Sequence, residues 1–167
     1  MHQANTPDPT ELPVIIQPAR FQDIRMVGTI QREAFRPGLA YSRFALVVLW
    51  ALPIATFLVA RDAGTGDVVG NIICDLHQGN VRVVNVAVAK RVRRRGIGSQ
   101  LLREVDQRFP DGDIVLAVEQ ENLAAQRLYE HEGFLRIAIT RDYYGINHHG
   151  YTMKKIRRNR PASITSP

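Results

Sequence analysis

The chain has 167 residues, 45% hydrophobic and 23% charged; that supports one domain whose core needs no disulfide or metal, and it excludes a wholly disordered chain. Its 22 Lys and Arg against 16 Asp and Glu give a formal charge of +6, yet five of the bases lie in 90–95 and five in 154–160, and without those ten, 12 bases face 16 acids. A slightly acidic domain with two basic clusters gives no global case for nucleic-acid binding, and the single cysteine, Cys74, excludes an intrachain disulfide or multi-cysteine metal site and suits a reducing, cytoplasmic setting.

In chain order, residues 1–12 are polar and proline-bearing and read as a loose tail without the apolar region of a secretory signal. The domain is expected over 13–156. Val14 to Ile16 predicts a short strand; Asp23 is a plausible cap for a helix carrying Ile24, Val27, Ile30 and Ala34 at helical spacing. Residues 44–60 form a 17-residue uncharged stretch at the lower limit for a membrane span. Pro53 divides it into a helix over 41–52 and a strand over 56–61, so no membrane partner is expected. The turn formers of 62–67 predict a hairpin into a strand over 68–74, and Gln78-Gly79-Asn80 a second hairpin into 82–88. There Val84, Val86 and Val88 share one face, and Val83, Asn85 and Ala87 the other. A helix over 99–109 follows, then an apolar strand over 114–118. The next helix, over 122–132, is expected to turn Leu123, Ala125, Leu128 and Tyr129 to the core, and two last strands cover 134–140 and 151–155. The order predicts a mixed α/β layer architecture around one sheet; 157–167 reads as a basic, disordered tail.

The most specific feature is the turn Arg93-Arg94-Arg95-Gly96-Ile97-Gly98 between a strand and a helix that Ser99 opens. Such a turn aims several backbone N–H groups, with the positive helix end behind them, at one point. Gly96 and Gly98 allow close approach of a phosphate, and the arginines add countercharge: a pyrophosphate cradle. It is neither the nucleotide-triphosphate loop nor the dinucleotide fingerprint, because no Gly-Lys-Ser/Thr follows and Arg93 holds the first glycine's place.

The chain resembles the GNAT superfamily of acyl-CoA-dependent N-acetyltransferases. The resemblance rests on that turn, on Val86-Ala87-Val88 before it, and on a second block of Leu116-Ala117-Val118, Asn122, Ala125, Leu128-Tyr129 and Gly133-Phe134. It implies a mostly antiparallel sheet of about seven strands, helices on both faces, and a splayed strand pair that holds acetyl-CoA. The pantetheine arm would bond the backbone of Val86 and Val88 and the side chain of Asn122, itself equally readable as a helix cap. The pyrophosphate would sit on N–H groups from Arg93 to Ser99. Tyr129 matches the tyrosine that protonates the leaving thiolate, and the N–H of Val88 would polarise the thioester carbonyl. The general base is less defined: the positions some members use hold Arg82 and Ala117 here, leaving Glu119, His77 or Asp75, acting directly or through water. His148-His149 is expected to be solvated, and no metal is expected.

Arg141-Asp142-Tyr143-Tyr144 followed by Met153 resembles the tail of ribosomal-protein-alanine and other protein N-terminal acetyltransferases, which implies that Tyr143 and Tyr144 flank the acceptor entrance. On a strand only one of two adjacent tyrosines could face it. The acceptor is then a protein N-terminus or a small amine. Two other readings stand beside transfer: a non-catalytic acyl-CoA sensor, motivated by the empty base positions, and a nucleic-acid-associated protein using the basic tail.

Overall fold

Two hairpins organise the sheet. The run 62–67 joins β2 (Ala55–Asp62) to β3 (Val68–His77), and Gln78-Gly79, both at positive φ, joins β3 to β4 (Asn80–Val88). The computed structural model describes residues 11–157. With β1 (Val14–Pro18), β5 (Ile114–Glu119), β6 (Leu135–Thr140) and β7 (Gly150–Lys155), these strands form one seven-stranded sheet in the order β1-β2-β3-β4-β5-β7-β6. Every pairing is antiparallel except β4 with β5.

Helices cover both faces, as the resemblance implied. On one face α1 (Ile24–Ala34) reaches the sheet through Gln31, whose amide bonds Asn71 of β3 and Asn85 of β4. On the other lies α3 (Ile97–Arg108), where a Cβ on Gly70 would come within 3.3 Å of both Ile97 and Leu101. Gly70 and Asn71 are neighbours on β3, so their opposite faces fix α1 and α3 on opposite sides. The remaining helices are α2 (Arg43–Ala51) and α4 (Leu123–His131). The alternation expected in β4 holds: Val83, Asn85 and Ala87 are buried, while Val84, Val86 and Val88 are half-buried and face the other way.

Several expectations are corrected by contacts distant in sequence. Asp23 does not cap α1 with its side chain; its carboxylate accepts from Arg61 at 2.7 and 2.8 Å and from the Arg20 N–H, because a buried carboxylate gains more from a guanidinium. Helix α2 starts behind Ser42, whose hydroxyl accepts the Ala45 N–H, and α3 begins at Ile97, not Ser99. Helix α4 leaves Leu123 exposed and buries Gln126, whose amide donates to the carbonyl of Gln120 and, together with the Asn122 N–H, to that of Glu119 at the end of β5.

Both termini are more engaged than expected where they are described. The Leu12 N–H donates to the Arg95 carbonyl at 3.0 Å, so Glu11 and Leu12 belong to the domain; the rest of the expected loose tail, 1–10, lies outside the described residues. Lys154 pairs with Asp113 and Lys155 with Asp106, both at 2.7 Å. The Lys154 ammonium holds the Asp113 carboxyl below the usual carboxylate range. Arg157 meets Asp106 and the carbonyls of Gly112 and Phe109. Three bases of the second cluster are therefore committed within the domain, which removes much of the charge behind a nucleic-acid reading; 158–167 lie outside the described residues. Among the described residues no helix is long and apolar enough to cross a membrane.

Candidate active site

Strand β4 pairs with β5 only through Val81, Arg82 and Val83, opposite Ile114, Val115 and Leu116. Beyond them the strands part. The cause is visible on the other side of β4, where Ile73 faces Asn85 but Cys74 faces Val83, so Val84 is an extra residue. A bulge of this kind bends its strand and ends pairing. Behind it the buried side chains of Gln31, Asn71 and Asn85 interlock, with Asn71 donating to Asn85 at 2.9 Å and Asn85 to Gln31 at 3.1 Å. Because the Ala89 N–H bonds Val69 of β3, alternation turns the backbone groups of Val86 and Val88 away from β3, into the opening. The resulting cleft has a volume of about 1130 Å³.

One end of the cleft is the turn before α3. Arg94 (φ 65°) and Gly96 (φ 69°) adopt left-handed backbone there. The first intrahelical bond of α3 runs from the Gln100 N–H to the Gly96 carbonyl, leaving the N–H groups of Ile97, Gly98 and Ser99 without helical acceptors at the cleft wall. The three arginines do not act alike. Arg94 lines the cleft. Arg93 also borders it, but its guanidinium donates to the carbonyls of Val88 and Glu33 and so ties the turn to β4 and α1. Arg95 is not among the lining residues. The three are set differently because a turn this tight points successive side chains in different directions. Glu11 also borders the cleft, its side chain lying against Gly96, where a Cβ would come within 2.6 Å of it.

Midway stands Tyr129 of α4, 8% exposed, its ring tilted against Phe134 at 5.8 Å. Burial pushes its phenol up to about 12, so the hydroxyl keeps its proton at neutral pH. Asn122 lines the cleft, but its side-chain oxygen accepts the Ala125 N–H at 3.1 Å as the cap of α4.

The far end carries the candidate bases. Glu119 lines the cleft and is ion-paired with Arg36, with His148 Nδ1 3.6 Å away. Asp75 is held in a two-point contact by Arg82 at 3.0 and 2.6 Å. His77 is exposed at the end of β3 and does not line the cleft, because the sheet carries it to the β3–β4 turn. Ala117 lines the wall with a methyl group. His148 is not simply solvated as expected: Arg36 Nη1 lies 3.1 Å from its Nδ1. Glu119, Glu121 and His148 could bring ligand atoms within 4.8 Å of one another, but the Arg36 guanidinium already balances Glu119. Arg36 was not legible as a site residue, since it lies past the end of α1 and meets its partners only across 83 and 112 positions of sequence.

Tyr143 and Tyr144 lie in the turn between β6 and β7, not on a strand. Their rings meet edge-on with centroids 4.9 Å apart, and both line the cleft mouth, which overturns the expectation that only one could. Tyr41 and Arg82 join them. Burial and the neighbouring Tyr143 raise the Tyr41 phenol, and Tyr144 is raised for the same reasons.

Residues 53–136 match the acetyltransferase (GNAT) domain family. An uncharacterised N-acetyltransferase of Methanocaldococcus jannaschii is 30% identical over 135 residues, covering 78% of this chain and 84% of that one. The chain belongs to the GNAT acetyltransferase family. As a GNAT protein it is an acyltransferase. An N-alpha-acetyltransferase of Sulfurisphaera tokodaii is similar over 154 residues, 29% identical, covering 83% of this chain and 90% of that one. The fold is also that of Arabidopsis thaliana NAA60 in complex with acetyl-CoA, with a TM-score of 0.73 at 18% identity, over 85% of this chain and 97% of that one.

The second glycine of the GNAT turn has a role that the sequence reading missed. A Cβ at Gly98 would lie 2.7 Å from Leu128 Cδ2, so its absence lets α4 close on α3 as well as leaving the cleft wall open. Gly98→Ala should cost at most about 1 kcal/mol, since the overpacking falls on the movable end of the half-buried Leu128 and is partly offset by the better helix propensity of alanine. In a Leu128→Ala background that cost should largely vanish, since the two changes share one contact. Urea denaturation of the four proteins measures both; equal costs in the two backgrounds would contradict the contact.

Proposed function

We propose that this protein transfers the acetyl group of acetyl-CoA directly to a primary amine in a ternary complex, and that the acceptor is a protein N-terminus. The observation that carries the reading is one continuous cleft running from the open N–H groups of α3, past the parted edge of β4 and Tyr129, to the mouth formed by Tyr41, Tyr143 and Tyr144. A bound acetyl-CoA would place its pyrophosphate on the N–H groups of Ile97, Gly98 and Ser99 with Arg94 beside them. Its pantetheine arm would complete the sheet edge at Val86 and Val88, with Ala87 and Asn122 in contact. The acceptor enters from the opposite end. Similarity to the Sulfurisphaera tokodaii N-alpha-acetyltransferase over most of both chains supports an N-terminal acceptor over a small amine, as do the paired tyrosines. The activity is assigned to the cytoplasm, with Cys74 kept as a buried thiol that burial pushes up to about 11.

In the reaction the neutral amine attacks the thioester carbonyl; the C–N bond forms and the C–S bond breaks. The Val88 N–H faces the oxygen on which charge develops. The departing thiolate takes the Tyr129 proton, which burial has kept in place. The proton lost by the amine passes to Glu119, directly or through water. Of the three bases weighed, Glu119 alone lines the cleft.

Free-CoA release with peptides bearing free or blocked N-termini, and with small amines, tests this reading. Turnover is expected with free N-termini. Turnover with small amines alone would overturn the acceptor, and tight acetyl-CoA binding without any turnover would favour a sensor. Tyr129→Phe removes the proton donor while keeping the ring. It should lower kcat by about 10²–10⁴ with acetyl-CoA affinity close to wild type; wild-type kcat would refute the acid role.

A further inference from the structure

The side of the molecule formed by α1 and α2 serves none of the chemistry above. Helix α2 is anchored by the fully buried Leu46, yet it carries a second apolar stripe facing outward. Phe44, Val48 and Leu52 stand at i, i+4 and i+8, one line along a helix, and all are exposed, Phe44 at 79%. Ile54, just beyond, is 71% exposed. About 200° round α2 from Val48, on the side of Leu46, Trp50 packs edge-on against Phe21 and its indole N–H is satisfied by the Ala19 carbonyl.

The charge around the stripe has one sign. Arg20, Arg25, Arg32 and Arg43 are exposed, and among the described residues none forms an ion pair. Arg25 and Arg32 are two turns apart on α1, and the side chains of Arg32 and Arg43 converge over Gly28, where α1 and α2 meet. The two acids of this segment are engaged elsewhere: Asp23 is buried against Arg61, and Glu33 accepts the Lys90 N–H at 3.1 Å.

We propose that the α1–α2 face docks on an anionic lipid surface, with the Phe44–Val48–Leu52 stripe entering the headgroup region and the four arginines meeting lipid phosphates. Apolar side chains projecting from a helix next to unpaired arginines are the combination that holds a peripheral helix at an anionic interface. A second copy fits the face poorly, because two-fold packing would bring the same arginines together. The earlier expectation of no membrane partner rested on the absence of a span, and surface docking requires none. The loop between the two helices carries Phe35, Leu39 and Tyr41 of the cleft mouth, so docking here would bring that mouth near the bilayer.

The test is co-sedimentation of the full chain with vesicles of phosphatidylcholine alone or with an equal part of phosphatidylglycerol. Retention is expected on the anionic vesicles only, weakening as salt rises. Phe44→Asp with Val48→Asp, and separately Arg25→Glu with Arg32→Glu, should each reduce the partition coefficient at least about tenfold, with Tm unchanged since all four side chains are exposed. The proposal is overturned if the wild type is not retained, or if both double variants are retained like wild type, which would place binding on another surface. It is also overturned if the wild type is a dimer in solution that Phe44→Asp with Val48→Asp dissociates, which would make a second copy the occupant.

Discussion

The parting of β4 from β5 is the constraint on which the site depends. Strand backbone groups inside a protein must find partners, and β4 offers Val86 and the Val88 N–H to an opening instead of to a neighbouring strand, the Val88 carbonyl being held by Arg93. A ligand with an extended chain of amides can take the place of that missing neighbour. The bulge at Val84 starts the divergence, and the interlocked amides of Gln31, Asn71 and Asn85 hold the bent strand from behind. Fully satisfied buried networks of this kind specify one arrangement, since each amide left without its partners would cost about 1–3 kcal/mol.

The rest of the cleft follows from where β4 leads. Its last residue feeds the turn that opens α3, so the strand edge and the helix N-terminus face the same space, and Arg93 pins that turn to Val88 and Glu33. Helix α4 closes against α3 because Gly98 leaves room for Leu128, and this brings Tyr129 to the centre of the cleft wall. Proton donor, phosphate site and open strand edge are therefore positioned by one set of contacts. The acceptor end is built differently, from loops: the segment after α1 supplies Arg36 and Tyr41, and the β6–β7 turn supplies Tyr143, Tyr144 and His148.

That division explains what could be read from the chain. The alternation in β4, the glycine turn, the helix after it and the order of elements are local patterns, and they were legible with boundaries accurate to a few residues. Tyr129 was legible because it sits in a motif. The pairing of Arg36 with Glu119 and His148, the docking of Glu11 and Leu12 beside Gly96, and the commitment of Lys154, Lys155 and Arg157 to Asp106 and Asp113 join segments far apart in sequence. Burial of Gln126 in place of Leu123 reversed a hydrophobic pattern, because its amide bonds the Gln120 and Glu119 carbonyls where β5 ends. Tyr143 and Tyr144 lie outside both expected strands, so strand alternation does not apply to them, and the turn that holds them brings both to the cleft.

The most direct measurement of the central claim is amide hydrogen exchange with and without acetyl-CoA, resolved to single residues. If the parted strand edge and the α3 N-terminus hold the ligand, the N–H groups of Val86, Val88, Ile97, Gly98 and Ser99 should gain protection together, while Asn85 and Ala87, whose N–H groups face β3, should change little. Saturating acetyl-CoA that leaves Val86 and Val88 exchanging as before, or that protects Asn85 and Ala87 equally, would contradict it.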